Sequence, residues 1–185
     1  MTTVVRKPTR AALAAATART VPDVIAPGLR VLFCGINPGL YTAAIGHHFG
    51  RPGNRFWPVL HDAGFTPRLF APWDEQELLP LGYGITNVVA RTTATAAELS
   101  NDEIVVGGRI LAAKVAEFTP RVLAVLGVGA YRTAFGVRGA AVGPQDTVLG
   151  ITRVWVLPNP SGLNANYQRG ALTALFSEVR AEVAS

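Results

Sequence analysis

Two segments of the chain pair residue types suited to chemistry at the tip of a strand. Val31-Leu32-Phe33-Cys34-Gly35-Ile36-Asn37-Pro38-Gly39-Leu40 runs from an apolar stretch into Asn-Pro-Gly, and Val154-Trp155-Val156-Leu157-Pro158-Asn159-Pro160-Ser161-Gly162-Leu163 repeats the design far along the chain. The residue before a proline is pushed out of the α region, so Asn37 and Asn159 are held extended. Gly39 and Gly162 let the backbone approach a ligand with no Cβ in the way. Either segment alone reads as an ordinary connection. Together, on parallel strands opening on one rim, they read as two walls of one pocket. A third stretch, Gly46 to Gly53, is a glycine- and proline-rich loop that carries Phe49, whose ring offers a stacking face to a flat group. Phe56 and Trp57, at the start of a helix, read as buried core.

Other chemistries fit less well. Gly127-Val128-Gly129 follows a strand but lacks the third glycine of a dinucleotide fingerprint, Arg132 standing in its slot, and the Walker pattern is missing. A tight strand-to-helix turn accounts for those glycines, and a Rossmann-type nucleotide-handling enzyme is the weakest of three function classes. Ser161 is not in a G-x-S-x-G elbow. His47 and His48 are adjacent, a spacing that seldom converges on a metal, and no Cys-x-x-Cys supports zinc. Cys34 is the only cysteine, which excludes an intrachain disulfide, and its place in an apolar strand predicts a buried, inert thiol.

These groups need a scaffold, and its pattern is alternating. Strands are predicted at Arg30 to Gly35, Gly84 to Val89, Arg121 to Leu126 and Arg153 to Leu157, with a loop or edge strand near Val148. Helices are predicted from Arg55 towards Asp62 with Asn54 as cap, from the Ser100-Asn101-Asp102-Glu103 capping box to Pro120, from Gly127 to Phe135, and around Leu172, Leu175, Phe176 and Val179. Strands separated by helices imply right-handed crossovers, a mainly parallel sheet covered on both faces, and sites beyond the carboxyl ends of the strands.

The chain of 185 residues is long enough for one domain with its own core, and 49% hydrophobic against 16% charged residues argues against disorder. Seventeen Lys and Arg against twelve acids give +5, a balance suited to a polyanion and also found in proteins that are basic for no specific reason. No apolar stretch reaches the length of a membrane span. Residues 1–28 are expected to form a basic N-terminal helix or extension, carrying Arg6, Lys7, Arg10 and Arg19, ahead of one domain over 29–185 in a cytoplasmic protein.

Gly35-Ile36-Asn37-Pro38-Gly39, Gly46-His47-His48-Phe49, Asn54-Arg55-Phe56-Trp57 and Asn159-Pro160-Ser161-Gly162-Leu163 together resemble the mismatch-specific uracil/thymine-DNA glycosylases of the uracil-DNA glycosylase superfamily. The match runs from about residue 29 to the last helix. The resemblance implies a three-layer α/β/α sandwich around a short, mainly parallel sheet. It implies base flipping, hydrolysis of the N-glycosidic bond, no metal and no organic cofactor, and double-stranded DNA with a G·U or related mispair as the partner of a monomer.

By that resemblance Asn37 positions water and Phe49 stacks on the extruded base. Ile36, Gly39 and the backbone around His48 and Phe49 form the base pocket, with Asn87 close by. His48 reads equally as a donor to a base carbonyl or as a structural residue. Leu163 is the wedge that fills the vacated stack. Gly162 and the backbone after it face the opposite guanine, and Asn159, Ser161 and Asn164 belong to the same DNA-binding segment, with Asn159 holding the turn. Two departures stand out: Asn164-Ala165 follows the wedge where some relatives have Ser-Arg, and Ala90 stands where relatives often carry an acid. They keep open a second class, a mismatch- or damage-recognition DNA-binding protein with weak turnover.

Overall fold

A computed structural model describes residues 7–184. Its centre is a five-stranded sheet in the order β2-β1-β3-β5-β4. Strands β1 (Val31–Gly35), β2 (Tyr83–Asn87), β3 (Val122–Leu126) and β5 (Thr152–Leu157) are parallel, and β4 (Gly143–Leu149) lies antiparallel on the edge against β5. The region near Val148 is therefore an edge strand. The helices are α1 (Arg10–Ala15), α2 (Leu40–Ile45), α3 (Phe56–Asp62), α4 (Asn101–Phe118), α5 (Val128–Phe135) and α6 (Arg169–Glu182).

Side chains alternate across each strand with period two, and that alternation divides the core. Phe33, Ile85, Ala124, Trp155 and Leu157 face α3 and α6, packing with Phe56, Leu60, Phe176 and Val179. Leu32, Cys34, Leu123, Val125 and Val156 face α4 and α5, packing with Leu111, Val115 and Tyr131. The three-layer α/β/α sandwich follows directly, because β1 and β3 are buried along their whole length and must be covered twice.

Local sequence explains the element ends. Ser100 Oγ accepts from the Glu103 N–H (3.1 Å) while Glu103 Oε2 accepts from the Ser100 N–H (2.9 Å), so α4 starts at the capping box. Asn54 Oδ1 accepts from the Phe56 N–H at 2.9 Å at the start of α3. Strand β2 stops at Asn87 instead of continuing to Val89. The Val88 and Val89 amides then donate to the Gly35 and Ile36 carbonyls, both at 2.9 Å, which tie the tips of β1 and β2 together.

Helix α2, directly after Asn-Pro-Gly, and the 3-10 segments carry too little periodicity to be read from sequence, while the short α1 falls inside the stretch expected to hold a basic N-terminal helix or extension. Helix α1 spans six residues, and Arg6 lies outside the described residues. The chain after α1 joins the body of the domain. Ala16 and Val21 pack with Ala43 of α2, and Val24 forms an antiparallel bridge with Ile85 at the free edge of β2. Among the described residues, no helix is long and apolar enough to cross a membrane.

Candidate active site

The carboxyl ends of β1, β2, β3 and β5 open on one rim, and both Asn-Pro turns lie on it. A cavity of about 160 Å³ there is lined by Ile36, Asn37, Gly39, His48, Phe49 and Asn87 together with Asn159 and Ser161 of the second turn. Gly162 and Leu163 line an adjoining cleft of about 240 Å³. Asn164 lines neither; its Nδ2 donates to the Asn159 carbonyl at 3.0 Å and closes the turn.

The orientation of the Asn37 amide is decided by its neighbours. Its Nδ2 donates to the Arg91 carbonyl (2.9 Å) and to Thr93 Oγ1 (2.7 Å). The Thr93 hydroxyl spends its own proton on the Thr95 carbonyl at 2.8 Å, and Nδ2 also lies 3.3 Å from the Pro38 carbonyl, so every partner of Asn37 is an acceptor and only the NH₂ end can face them. The carbonyl end is what remains for a ligand or water.

Phe49 is held in a left-handed backbone conformation, φ 51°, that a non-glycine residue adopts at a cost of about 1–3 kcal/mol. The loop is pinned on both sides of it. Before it, the His48 N–H donates to Glu75 Oε2 (2.8 Å) and the His48 carbonyl accepts from Trp57 Nε1 (3.1 Å). After it, the Gly50 N–H donates to Thr42 Oγ1 (3.1 Å). The Phe49 ring stacks on Phe56 with centroids 4.0 Å apart, so one face is backed and the other is left for stacking. Phe56 and Trp57 are buried, as the sequence suggests, yet both also support this loop.

Gly35 forms the floor. A Cβ there would lie 2.6 Å from Asn87 Oδ1 and 3.4 Å from Phe49 Cζ, between the groups expected to read and to stack on a base. A Cβ at Gly39 meets no protein atom, so any space it saves serves a ligand. The close approach at Gly162 is to protein: a Cβ would meet the Gly53 carbonyl at 2.5 Å, which locks the second Asn-Pro turn against the Phe49 loop.

His48 is buried, and its Nε2 lies 2.8 Å from the Pro22 carbonyl. A carbonyl only accepts, so Nε2 carries the proton, and the neutral ring keeps Nδ1 as an acceptor. Burial lowers the His48 pKa, with the Pro22 hydrogen bond and the nearby Glu75 and Asp23 opposing. Donation to a base carbonyl from Nδ1 would need the imidazolium that burial disfavours. The hydrogen bonds therefore favour the structural reading of His48. The consequence for stability has a definite sign. Below pH 6.5 the unfolded chain protonates this histidine while the folded one resists, so stability is lost as the pH falls below 6.5. Thermal melts should show a Tm that declines as the pH falls through that range. A His48→Asn variant should show a shallower pH dependence, and an unchanged slope would refute the assignment.

The turn over residues 159–164 is organised by a residue with no role legible in the sequence. Arg55 Nη2 donates to the Ser161 (2.6 Å) and Asn164 (3.0 Å) carbonyls, Nε to Pro160 O (3.4 Å), and Nη1 to Tyr167 O. Asn159 Oδ1 accepts from the Ser161 N–H at 2.9 Å, closing the turn from within. Leu163, 75% exposed, is left projecting from this braced loop. Glu75, Thr93 and Thr42 are the other supports that sequence reasoning misses, and no local pattern marks them.

His47 Nδ1 pairs with Glu75 Oε1 at 2.9 Å, and among the described residues no three His, Cys, Asp or Glu side chains gather as a metal site. Cys34 is buried, with its thiol pKa pushed up chiefly by desolvation, consistent with an inert core role. Ala90 is exposed and borders a neighbouring apolar groove beside Val106 and Ile110; it is not among the residues lining the Asn37 cavity.

Known proteins share this architecture. A solution NMR structure described as a "putative Uracil DNA glycosylase" from Methanosarcina acetivorans has a similar fold, with a TM-score of 0.57 and 20% identity over 88% of this chain and 98% of that one. The family model of the uracil DNA glycosylase superfamily matches residues 22–184, nearly the whole described chain and both Asn-Pro turns, and on that match the chain belongs to the uracil DNA glycosylase superfamily.

Proposed function

We propose that this DNA glycosylase removes uracil mispaired with guanine, and by the same chemistry thymine or modified cytosine in that pairing. It would act as a monomer on duplex DNA and leave an abasic site without strand scission. The extruded base enters the cavity over Gly35, stacks on Phe49 and meets the Asn87 amide. Water held by the Asn37 carbonyl attacks C1′, the glycosidic bond breaks with its electron pair leaving on the base nitrogen, and the water's second proton passes to solvent. An amide does not titrate usefully, so catalysis rests on positioning and on stabilising the departing anion.

The observation that carries this reading is the forced orientation of Asn37. Its carbonyl is the one end of the amide without a committed protein partner, beside a ring with one face free and a wedge loop ending in exposed Leu163.

The test is a set of labelled duplexes carrying G·U, G·T or A·U, incubated with protein at one salt concentration and then treated with alkali. The expected result is cleavage of G·U at least about 10-fold faster than A·U, since a mispaired base costs less to extrude. Equal rates on both would remove the mismatch preference. Tight binding to G·U with no cleavage would instead identify a recognition protein.

A further inference from the structure

The loop facing the wedge carries a cation that the catalytic reading does not use. Arg51 opens the turn Arg51-Pro52-Gly53-Asn54, closed by the Asn54 N–H donating to the Arg51 carbonyl at 3.0 Å. Proline at the second position and Gly53 at φ 84° at the third make this a type II turn, whose shape is fixed by its own residues. The contact between Gly53 and Gly162 then seats that turn against the wedge loop. Arg51 is thus carried on a rigid support.

Arg51 lines both the base cavity and the wedge cleft, and among the described residues it is the only Lys or Arg lining either. No Asp or Glu lines them. Nearby arginines are committed elsewhere: Arg55 to the wedge carbonyls, Arg91 to Glu103, Arg169 to Asp62. The Arg51 side chain is exposed and makes no hydrogen bond or ion pair among the described residues. One unneutralised guanidinium therefore sits at the junction of two otherwise uncharged cavities.

We infer that Arg51 binds the backbone phosphate of the extruded nucleotide. The inference rests on the proposed base-flipping reading. With the base in one cavity and its former neighbours over the wedge in the other, the sugar–phosphate is the part of the substrate that passes between them. The opposite guanine stays on the wedge side alone. A planar guanidinium can bind phosphate oxygens in bidentate fashion, and here no carboxylate competes. Arg51 is a binding and positioning residue and does not touch the reacting bond.

The experiment measures affinity by fluorescence anisotropy on a G·U duplex and on a duplex with a tetrahydrofuran abasic analogue opposite G, between 50 and 200 mM salt. Wild type is compared with Arg51→Ala, Arg51→Lys and, as a control, Arg30→Ala, an exposed residue before β1 at the opposite end of the sheet. Arg51→Ala should weaken binding about 10-fold at the lowest salt and reduce the salt slope by about 1, so the deficit narrows about 4-fold by 200 mM. Arg51→Lys should keep the slope. An unchanged slope in Arg51→Ala, or an equal change in Arg30→Ala, would overturn the inference. So would a deficit that disappears when adenine replaces the opposite guanine, because that would mark a base contact. If wild type excises no base, the proposed function fails, while the slope on the analogue still decides the Arg51 contact.

Discussion

Asn37→Ala is expected to lower single-turnover excision of uracil from a G·U duplex by on the order of 10²–10³-fold, with duplex binding changed less than about 3-fold. The size follows from what is lost. The alanine methyl has no acceptor for water, and the attacking oxygen loses its fixed distance from C1′. Asn37→Asp separates positioning from basicity. A carboxylate is the stronger base, but it would turn an oxygen towards the Arg91 carbonyl and Thr93 Oγ1, where the native amide donates. The neighbours would repel it, so Asn37→Asp should also be slow and should melt below wild type. Excision by Asn37→Ala at the wild-type rate would show that water is held elsewhere. A faster Asn37→Asp enzyme would show that base strength, rather than aim, limits the reaction.

The second large effect is expected at a residue that touches no reacting atom. Arg55→Ala removes the donors to four carbonyls of the wedge loop. Hydrogen bonds from a charged donor contribute about 1.5–3 kcal/mol each when isolated; shared on one half-buried side chain, their combined loss should be about 2–4 kcal/mol. Melting should fall by about 5–15 °C. Excision from duplex DNA should fall about 10- to 100-fold, because an unbraced Leu163 loses its entropy only on binding. Uracil in single-stranded DNA, which needs no wedge, should suffer less. Arg55→Lys should not rescue, since one ammonium cannot span a planar set of acceptors. Equal losses on duplex and single strand would mean that Arg55 supports the base cavity rather than the wedge.

Arg55 and Asn37 also show how far the sequence can be read. Both sit in recognisable motifs, and the pre-proline rule places Asn37 at a strand tip from its immediate neighbours alone. The motif around Arg55 suggests only a helix start. Its guanidinium reaches residues as many as 112 positions away, a relation with no periodic signature. Glu75 is a similar case: a buried carboxylate in an acidic surface-like run, holding His47 and the His48 amide from 28 and 27 residues away. His48 illustrates a choice the sequence leaves open, between donor and structural roles. The Pro22 carbonyl weighs on that choice, because it requires the proton on Nε2.

The order of the strands and of helices α3 to α6, the two-sided burial of β1 and β3 and the Ser100 capping box are all legible in the residues alone. Those features depend on relations between residues one to four apart and on backbone sterics, which act wherever the chain goes. The assembled fold was needed to settle which end of the Asn37 amide is free, that Phe49 stands strained on a pinned loop, and that Gly35 clears the cavity floor. It was needed, too, to set Arg51 between two cavities without a partner. Each of these depends on segments distant in the chain meeting within about 3 Å, a geometry set by packing the whole sheet and its loops and by no single stretch of residues.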